Sequence, residues 1–351
     1  MISALGCAAN TGAGEGGNDE AVATTDSTSE ALSVYQWSGD YQAGNNHSYY
    51  DAAIGSITSG NTELTVMVHT GADDNTDYKM FYSYSTDGVN WSVDQQIPDM
   101  YSSGTVRMAT FNGYLYMIHN GADDIESVWM SRFNFASKTW GHDYQLPYRT
   151  WYVPSMAAYN GSLYIIGNSY PTGQVWQAKM STAEVFSAQA DLPGIVSVGG
   201  SPSLTVHCPS GFCFPATLYM AYRSNTGDLT MSGLQFLPGR RGGTPTWWTP
   251  WVVANPDGSH KKTSTAPALA SYGGYLHIID KLPTTSDLIE WTYYDGSNWS
   301  PEVSIGSQRM WGSASLSARS NRLVMVHSES ADDHNHNTGN FSYPIYSESF
   351  Q

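Results

Sequence analysis

A repeated apolar run constrains this chain more than any other feature. The run begins with Leu and occurs in six copies, Leu64–His69, Leu115–His119, Leu163–Gly167, Leu218–Tyr222, Leu276–Asp280 and Leu323–His327. A second short apolar run precedes each copy, starting at Asp51, Arg107, Ser155, Ser203, Ala268 and Ser315. The units follow one another at roughly 50 residues, a period typical of propellers and solenoids. The fourth unit is longer than the others.

Each unit reads as four antiparallel strands. In the second unit the strand-like runs are Arg107–Phe111, Tyr114–His119 and Ser127–Phe135, and a further run follows Trp140. Asn-Gly between two such runs is the strongest short hairpin signal, and Asn112-Gly113 separates the first two. The unit is therefore predicted to be a four-stranded meander.

The ends of the chain predict a closed ring. The sixth copy stops at Gln351 after its third strand, whereas residues 33–42 resemble an outer strand that has no unit of its own. Pairing this segment with the last copy would remove exposed sheet edges. We therefore predict an all-β fold over residues 33–351, a six-bladed β-propeller of four-stranded antiparallel blades closed by the N-terminal strand.

Residues 1–32 are predicted to lie outside the propeller. Residues 8–32 are small, polar and acidic, which favours a disordered linker. Ala4-Leu5-Gly6-Cys7 resembles the end of a truncated bacterial lipoprotein signal, so the precursor would carry a lipid tether at Cys7. The alternative is that the match is fortuitous. The expected location is secreted, periplasmic or cell-surface.

Cysteine usage and charge narrow the classes of function. Cys208 and Cys213 flank a Pro- and Gly-containing loop, and a disulfide between them is expected in an oxidising compartment. The alternative is three unrelated thiols. A formal net charge of −16 argues against a nucleic-acid partner. No apolar run reaches the 18 residues of a membrane-spanning helix.

Turn motifs carry a family resemblance. Ser85–Trp91 reads S-T-D-G-V-N-W, and Tyr294–Trp299 reads Y-D-G-S-N-W. Both resemble shortened forms of the Asp-box of sialidase-like and lectin propellers. The phrase A-x-Y-N-G-x-L-Y also resembles bacterial and fungal sugar-binding propellers. The resemblance implies a propeller fold and carbohydrate-related function, with the Asp-box turns in a structural role.

The propeller register places two sets of residues on one face: those that end the second strands and those in the loops between blades. Loops on such a face carry ligand-binding residues on a rigid scaffold. Aromatic rings stack on sugars, and polar planar groups bond to hydroxyls. Packing between blades is the alternative role for the aromatic rings. The candidate ligand-binding residues are His69, His119, His327, Asp280, Tyr222, Trp151, Tyr152, Trp311, Arg149, Arg223 and Arg309.

Three of these residues also suggest a metal site. His69, His119 and His327 end the second strands of neighbouring units, and each precedes an acidic pair. Three converging imidazoles would suit Zn²⁺, whereas the carboxylate pairs would suit Ca²⁺. The alternative is structural, with each His bonded to neighbouring backbone and each acidic pair in a tight turn.

These observations predict a non-catalytic, lectin-like propeller whose partner is a glycan or polysaccharide. The first alternative is a glycoside hydrolase or polysaccharide lyase acting on a sialate- or uronate-bearing glycan, with the three Arg side chains receiving the carboxylate. The second is a scaffold that binds a protein. A site repeated in several blades favours a lectin, whereas a catalytic site occurs once.

Overall fold

The fold consists of strands and loops. The computed structural model describes residues 37–38, 41–48, 50–71, 78–122, 126–169, 171–197, 200–208, 216–235, 246–283, 287–310, 312–328 and 343–350. Within these ranges the strands form small antiparallel sheets, and there is no helix. The same ranges therefore contain no helix long and apolar enough to cross a membrane. The prediction of an all-β propeller is confirmed.

The strands are numbered in chain order. The first are β1 (Tyr41–Ser48), β2 (Ala53–Ser59), β3 (Thr62–Thr70), β4 (Lys79–Ser85), β5 (Gln95–Tyr101), β6 (Val106–Phe111), β7 (Tyr114–Asn120), β8 (Ser127–Asn134), β9 (Thr139–Trp140) and β10 (Tyr144–Arg149). They are followed by β11 (Ser155–Tyr159), β12 (Ser162–Asn168), β13 (Gln174–Ser181), β14 (Ala190–Val196), β15 (Ser203–His207), β16 (Thr217–Arg223), β17 (Leu229–Gln235) and β18 (Trp251–Val252). The last are β19 (Ala268–Tyr272), β20 (Tyr275–Lys281), β21 (Leu288–Tyr294), β22 (Val303–Arg309), β23 (Ser315–Ala318), β24 (Leu323–Ser328) and β25 (Tyr343–Phe350).

Sequence-adjacent strands pair to form six sheets in the described part of the chain. In chain order these are β2–β5, β6–β10, β11–β14, β15–β18, β19–β22 and β23–β25, and we call them sheets 1 to 6. The first strands contact one another in a cycle, β2 with β6, β6 with β11, β11 with β15, β15 with β19, β19 with β23 and β23 with β2. The sheets therefore stand around a common axis that their first strands line.

The apolar core lies between neighbouring sheets. Between sheets 2 and 3, for example, Trp176 is fully buried against Tyr148, with ring centroids 5.5 Å apart. Similar clusters fill the other gaps between sheets. Fully burying one large apolar side chain contributes about 1.5–3 kcal/mol. The repeated apolar runs of the sequence therefore stabilise the fold mainly by packing between neighbouring sheets.

The predicted hairpin turn is present. Phe111 pairs with Tyr114, and between them Asn112 and Gly113 both have positive φ, 49° and 80°. This is the backbone of a turn with left-handed residues at both central positions, which Asn and Gly tolerate best. Residues 160–161 repeat the same dipeptide and the same φ signs in sheet 3.

The N-terminal strand differs in position from its prediction. Strand β1 pairs with β25 and starts at Tyr41, while Trp37 makes an isolated bridge to Phe350. Residues 33–36 and 39–40 of the predicted segment lie outside the described residues. The register of β1 shifts between Gln42 and His47, as at a β-bulge. A bulge accommodates the Gly and Asn residues at 44–46, which in the sequence favour a turn over a strand.

Candidate functional site

An axial cavity opens where the connections between sheets converge. Its volume is about 380 Å³, and every sheet-to-sheet connection contributes to its lining. The lining segments are residues 50–51, 103–105, 151–153, 200–201, 265–266 and 312–313, together with Arg107 and Asn120. Short loops on a rigid ring of strands thus bring residues that are distant in sequence to one place.

Asp51 is the carboxylate among the described lining residues of the axial cavity. It lies just before β2, and its Oδ2 accepts a hydrogen bond from the backbone N–H of Ser313, 2.8 Å away. Burial raises the pKa of Asp51, although the Ser313 bond and the charge of Arg107 oppose this rise. Gly312 leaves room for this carboxylate, since a Cβ atom there would overlap it.

Arg107 lies at the base of the axial cavity. It also lines a smaller void of about 60 Å³ between the first strands, so its side chain stands between the two spaces. Burial lowers the pKa of Arg107, and the charge of Asp51 opposes this shift. The charges of Asp51 and Arg107 therefore attract each other across the cavity lining. Sequence reasoning used Arg107 only to mark a repeat.

A signal for Arg107 was nevertheless available. It occupies the position where the corresponding first strands begin with small residues, Ser155, Ser203, Ala268 and Ser315. A large cation at a position that is otherwise small must reach into the space around the axis. Asp51 carried a similar signal, because it opens the first of the six repeated runs, four of which begin with Ser or Ala.

Trp151 and Tyr152 form an aromatic platform at the axial cavity. Their rings stack with centroids 5.6 Å apart and an interplanar angle of 11°. The side chains are 38% and 36% exposed. The Tyr152 carbonyl accepts hydrogen bonds from the hydroxyls of Thr150 (2.7 Å) and Ser201 (3.0 Å), and Trp151 N–H donates to Asn168 O at 3.1 Å. The platform is therefore fixed to the scaffold and open to solvent.

The histidines do not converge. His69 is buried, with Nδ1–H donating to Thr70 O (3.1 Å) and Nε2 lying 3.0 Å from Oδ2 of Asp94. The described residues contain no group of three His, Cys, Asp or Glu side chains that could hold a metal ion. The predicted metal site of His69, His119 and His327 is therefore wrong, because His69 and His119 each face an acid of their own sheet. His327 is also buried.

The acidic pairs after these histidines, and with them the predicted Ca²⁺ site, fall outside the described residues. Two further predicted positions do so as well. They are Trp311 and Cys213, so the predicted disulfide with Cys208 remains a prediction.

The three predicted arginines lie in three different sheets and do not line the axial cavity. Arg149 ends β10 and pairs with Glu126, Nη2 to Oε2 3.0 Å. Arg223 ends β16, and Arg309 ends β22. The structure therefore does not assemble them into a clamp for one carboxylate, and the cation of the axial cavity is Arg107 instead.

Asp280 and Tyr222 are buried at the ends of their second strands, 0% and 4% exposed. Asp280 faces an acidic group around a buried lysine. Its strand partner is Glu290, and Lys261 Nζ lies 3.9 Å from Glu302 Oε1. Burial, with the charge of Glu302, raises the pKa of Asp280 well above its usual range. These four charged side chains lie away from the axial cavity and do not line it.

The two Asp-box-like turns are structural in this chain. The Asp87 carboxylate accepts hydrogen bonds from Val89 N–H (2.9 Å), from Asn90 N–H (2.8 Å) and from the Ser85 hydroxyl (2.9 Å). These bonds lower the pKa of Asp87 in spite of some desolvation. Asp295 bonds to the following backbone in the same manner in sheet 5. Neither Asp lines the axial cavity.

Solved structures with this architecture are carbohydrate-related in several cases. No known protein family and no curated protein matches the sequence. The structure resembles a Trypanosoma rangeli sialidase in complex with the inhibitor DANA, at 14% identity and a TM-score of 0.52 over 86% of this chain and 55% of that one. The chain thus spans about half the length of the sialidase.

Two further structures match over most of both chains. One is a Penicillium chrysogenum α-L-arabinanase complexed with arabinobiose. It is 11% identical, the match covers 89% of this chain and 98% of the arabinanase, and the TM-score is 0.56. The other is AofleA from Arthrobotrys oligospora. It is 9% identical, the match covers 84% of this chain and 83% of AofleA, and the TM-score is 0.56. At such identities the likeness shows the fold alone. This chain therefore shares the β-propeller fold of these structures.

Proposed function

We propose that this chain is a carbohydrate-binding, lectin-like propeller and that its axial cavity receives the glycan. The six sheets are then six blades, and β1 closes the ring. The observation that carries the proposal is the Trp151–Tyr152 platform, because two stacked, exposed and backbone-anchored rings suit the C–H face of a sugar. The carbohydrate-related neighbours support the same class of ligand.

Asp51 and Arg107 supply the polar half of the site. A carboxylate accepts hydrogen bonds from sugar hydroxyls, and a guanidinium donates to ring and hydroxyl oxygens. Asp51 is the one carboxylate that lines the cavity within the described ranges, whereas glycoside hydrolysis generally uses two carboxyl groups on opposite sides of the bond. The described site therefore favours binding over hydrolysis.

The second candidate is a glycoside hydrolase in which Asp51 acts as the general acid. The raised pKa of this carboxyl favours the protonated form that such a role needs. A second carboxylate would have to come from residues outside the described ranges. Turnover of sialylated and arabinose-containing polymers, absent in Asp51→Asn, would support this candidate.

The binding proposal is tested by a glycan-array screen of the full chain, followed by titration calorimetry with the best ligand. Trp151→Ala and Tyr152→Ala are each expected to weaken binding about tenfold, or ~1.4 kcal/mol. Tyr114→Ala is the matched control, because Tyr114 is 41% exposed and lies outside the cavity. An array without a specific ligand, or platform variants that bind as tightly as the control, would overturn the proposal.

A further inference from the structure

The rim of the axial cavity is built from loops that bond to one another around the axis. The six connections follow one another in ring order, because the first strands contact one another in a cycle. Ser313 N–H donates to Asp51 at 2.8 Å, which joins two neighbouring connections. The Ser201 hydroxyl donates to Tyr152 O at 3.0 Å and joins two others. At both places the rim is continuous.

Close packing continues the rim at two further places. A Cβ atom on Gly200 would lie 2.5 Å from Cβ of Ala266, so the connections that carry these two residues touch. A Cβ atom on Gly104 would lie 3.7 Å from Val153 Cγ2, which is van der Waals contact. A polysaccharide bound along its length would need an opening in the rim on each side of the bound segment. The contacts between connections favour a pocket over such a groove.

The axial cavity is also closed below its mouth. Arg107 stands between the cavity and the void of about 60 Å³ that the first strands line. Ligand pockets usually measure about 300–1,000 Å³, so that void is too small for a saccharide unit. The cavity itself, at about 380 Å³, is near the lower end of this range. It therefore suits the end of a glycan chain, which enters and leaves through the mouth.

The aromatic and acidic walls of the axial cavity face each other across the axis. Trp151 and Tyr152 lie in the connection between sheets 2 and 3, and Ser313 lies in that between sheets 5 and 6, which is opposite in the cycle of six. Asp51 bonds to Ser313 and so stands on the Ser313 side. A sugar ring that stands upright between these walls places its C–H face on the platform and its hydroxyl edge toward Asp51.

The charges of the axial cavity balance. Asp51 is the carboxylate and Arg107 is the cation among the described lining residues. An anionic ligand would meet the carboxylate and a cationic ligand would meet the guanidinium, and burying a charge against a like charge is costly. An uncharged sugar uses both groups, because its hydroxyls donate to Asp51 and its oxygens accept from Arg107.

We propose that the axial cavity binds the uncharged terminal unit of a glycan chain and not an internal segment of the chain. This inference rests on the proposed function, which places the glycan in the axial cavity. The terminal ring stacks on the platform of Trp151 and Tyr152, and the rest of the chain leaves through the mouth. A further sugar linked to the inserted end would meet the rim or the floor of the cavity.

The first test is an array on which galactose, glucose, mannose and N-acetylglucosamine each end a glycan chain. Each chain is printed free and capped by a further neutral sugar that gives no signal of its own. The full chain should bind a free end about tenfold more tightly than its capped form. Trp151→Ala should lose the signal, whereas Tyr114→Ala should keep it, since Tyr114 is exposed and lies outside the cavity.

The second test replaces the terminal sugar by its uronic acid, for example galactose by galacturonic acid, so that the two probes differ only at C6. Calorimetric titration should show that the wild type prefers the neutral probe about tenfold. Asp51→Asn should lose this preference, because the charge of Arg107 is then left without its opposite. Asp191→Asn is the matched control, an exposed strand carboxylate outside the cavity that should keep the preference.

The outcomes separate this inference from the proposed function. An array without any signal would overturn both. Equal binding of free and capped chains, lost in Trp151→Ala, would keep the glycan in the axial cavity and overturn the chain-end inference alone. Wild-type binding of the uronic acid as tight as that of the neutral sugar would overturn the preference for an uncharged unit.

Discussion

Nε2 of His69 lies 3.0 Å from Oδ2 of Asp94, and sheet 2 repeats the arrangement with His119 and Asp143. In both sheets the histidine stands near the end of the second strand, and the acid directly precedes an outer strand. Glu302 occupies the corresponding position in sheet 5, before β22. The recurrence of histidine along the sequence thus reflects a bond between the second strand and the approach to the outer strand.

His69→Ala should lower the free energy of unfolding by about 3 kcal/mol, because it removes a buried ring and leaves the Asp94 carboxylate without its partner. His142→Ala is the control, an exposed histidine that should change stability by less than about 0.5 kcal/mol. Urea unfolding followed by tryptophan fluorescence measures both. A His69 variant as stable as the control would show that the pair contributes little.

The same pair shows what the sequence could predict and what it could not. Hairpin signals and repeated apolar runs predict strands to within about one residue in sheet 2, because periodicity and turn chemistry are local. The pairing of His69 with Asp94 joins residues of different strands, so it could be found only by comparing repeats for acids before outer strands. Asp51 and Arg107 line one cavity because the ring brings their sheets together, and no local pattern encodes that proximity. Trp151 and Tyr152, by contrast, stood out as adjacent aromatic residues in a connection.

Gly312→Ala should weaken glycan binding in the axial cavity without unfolding the chain. The added Cβ would overlap the Asp51 carboxylate and displace it from Ser313 N–H. Gly104→Ala is a closely matched control, since Gly104 lines the same cavity and its new Cβ would meet atoms only at 3.7 Å or beyond. Calorimetric titration with the array-selected glycan should give a severalfold loss for the first variant alone. Equal affinities would indicate that Asp51 does not contact the ligand.

Lys261→Met should destabilise the fold strongly. The Lys261 side chain is fully buried, and its ammonium pairs with the Glu302 carboxylate at 3.9 Å. Removing one partner from a buried charged group costs about 3–5 kcal/mol. Lys138→Met is the control, because Lys138 is exposed and its ammonium lies 4.7 Å from the Tyr84 ring centroid, an interaction that contributes about 0.5–1 kcal/mol at an exposed site. Similar unfolding free energies for the two variants would contradict this assignment of charges.

Asp280→Asn should flatten the dependence of stability on pH. Burial raises the pKa of Asp280 in the folded state, so the folded chain holds the proton more tightly than the unfolded chain. The free energy of unfolding therefore falls as pH rises from the unfolded pKa of about 3.9 toward the raised folded value. The Asn side chain does not ionise, and the variant should gain stability relative to the wild type as pH increases.

Urea unfolding at several values between about pH 5 and pH 8 measures this difference in slope. The exposed Asp191→Asn is again the control and should follow the wild-type slope. Both substitutions replace an Asp by its neutral amide, so any difference in slope between the two variants reports the burial of Asp280. Parallel curves for the wild type and both variants would mean that Asp280 is ionised in the folded chain, with Lys261 as its counter-ion.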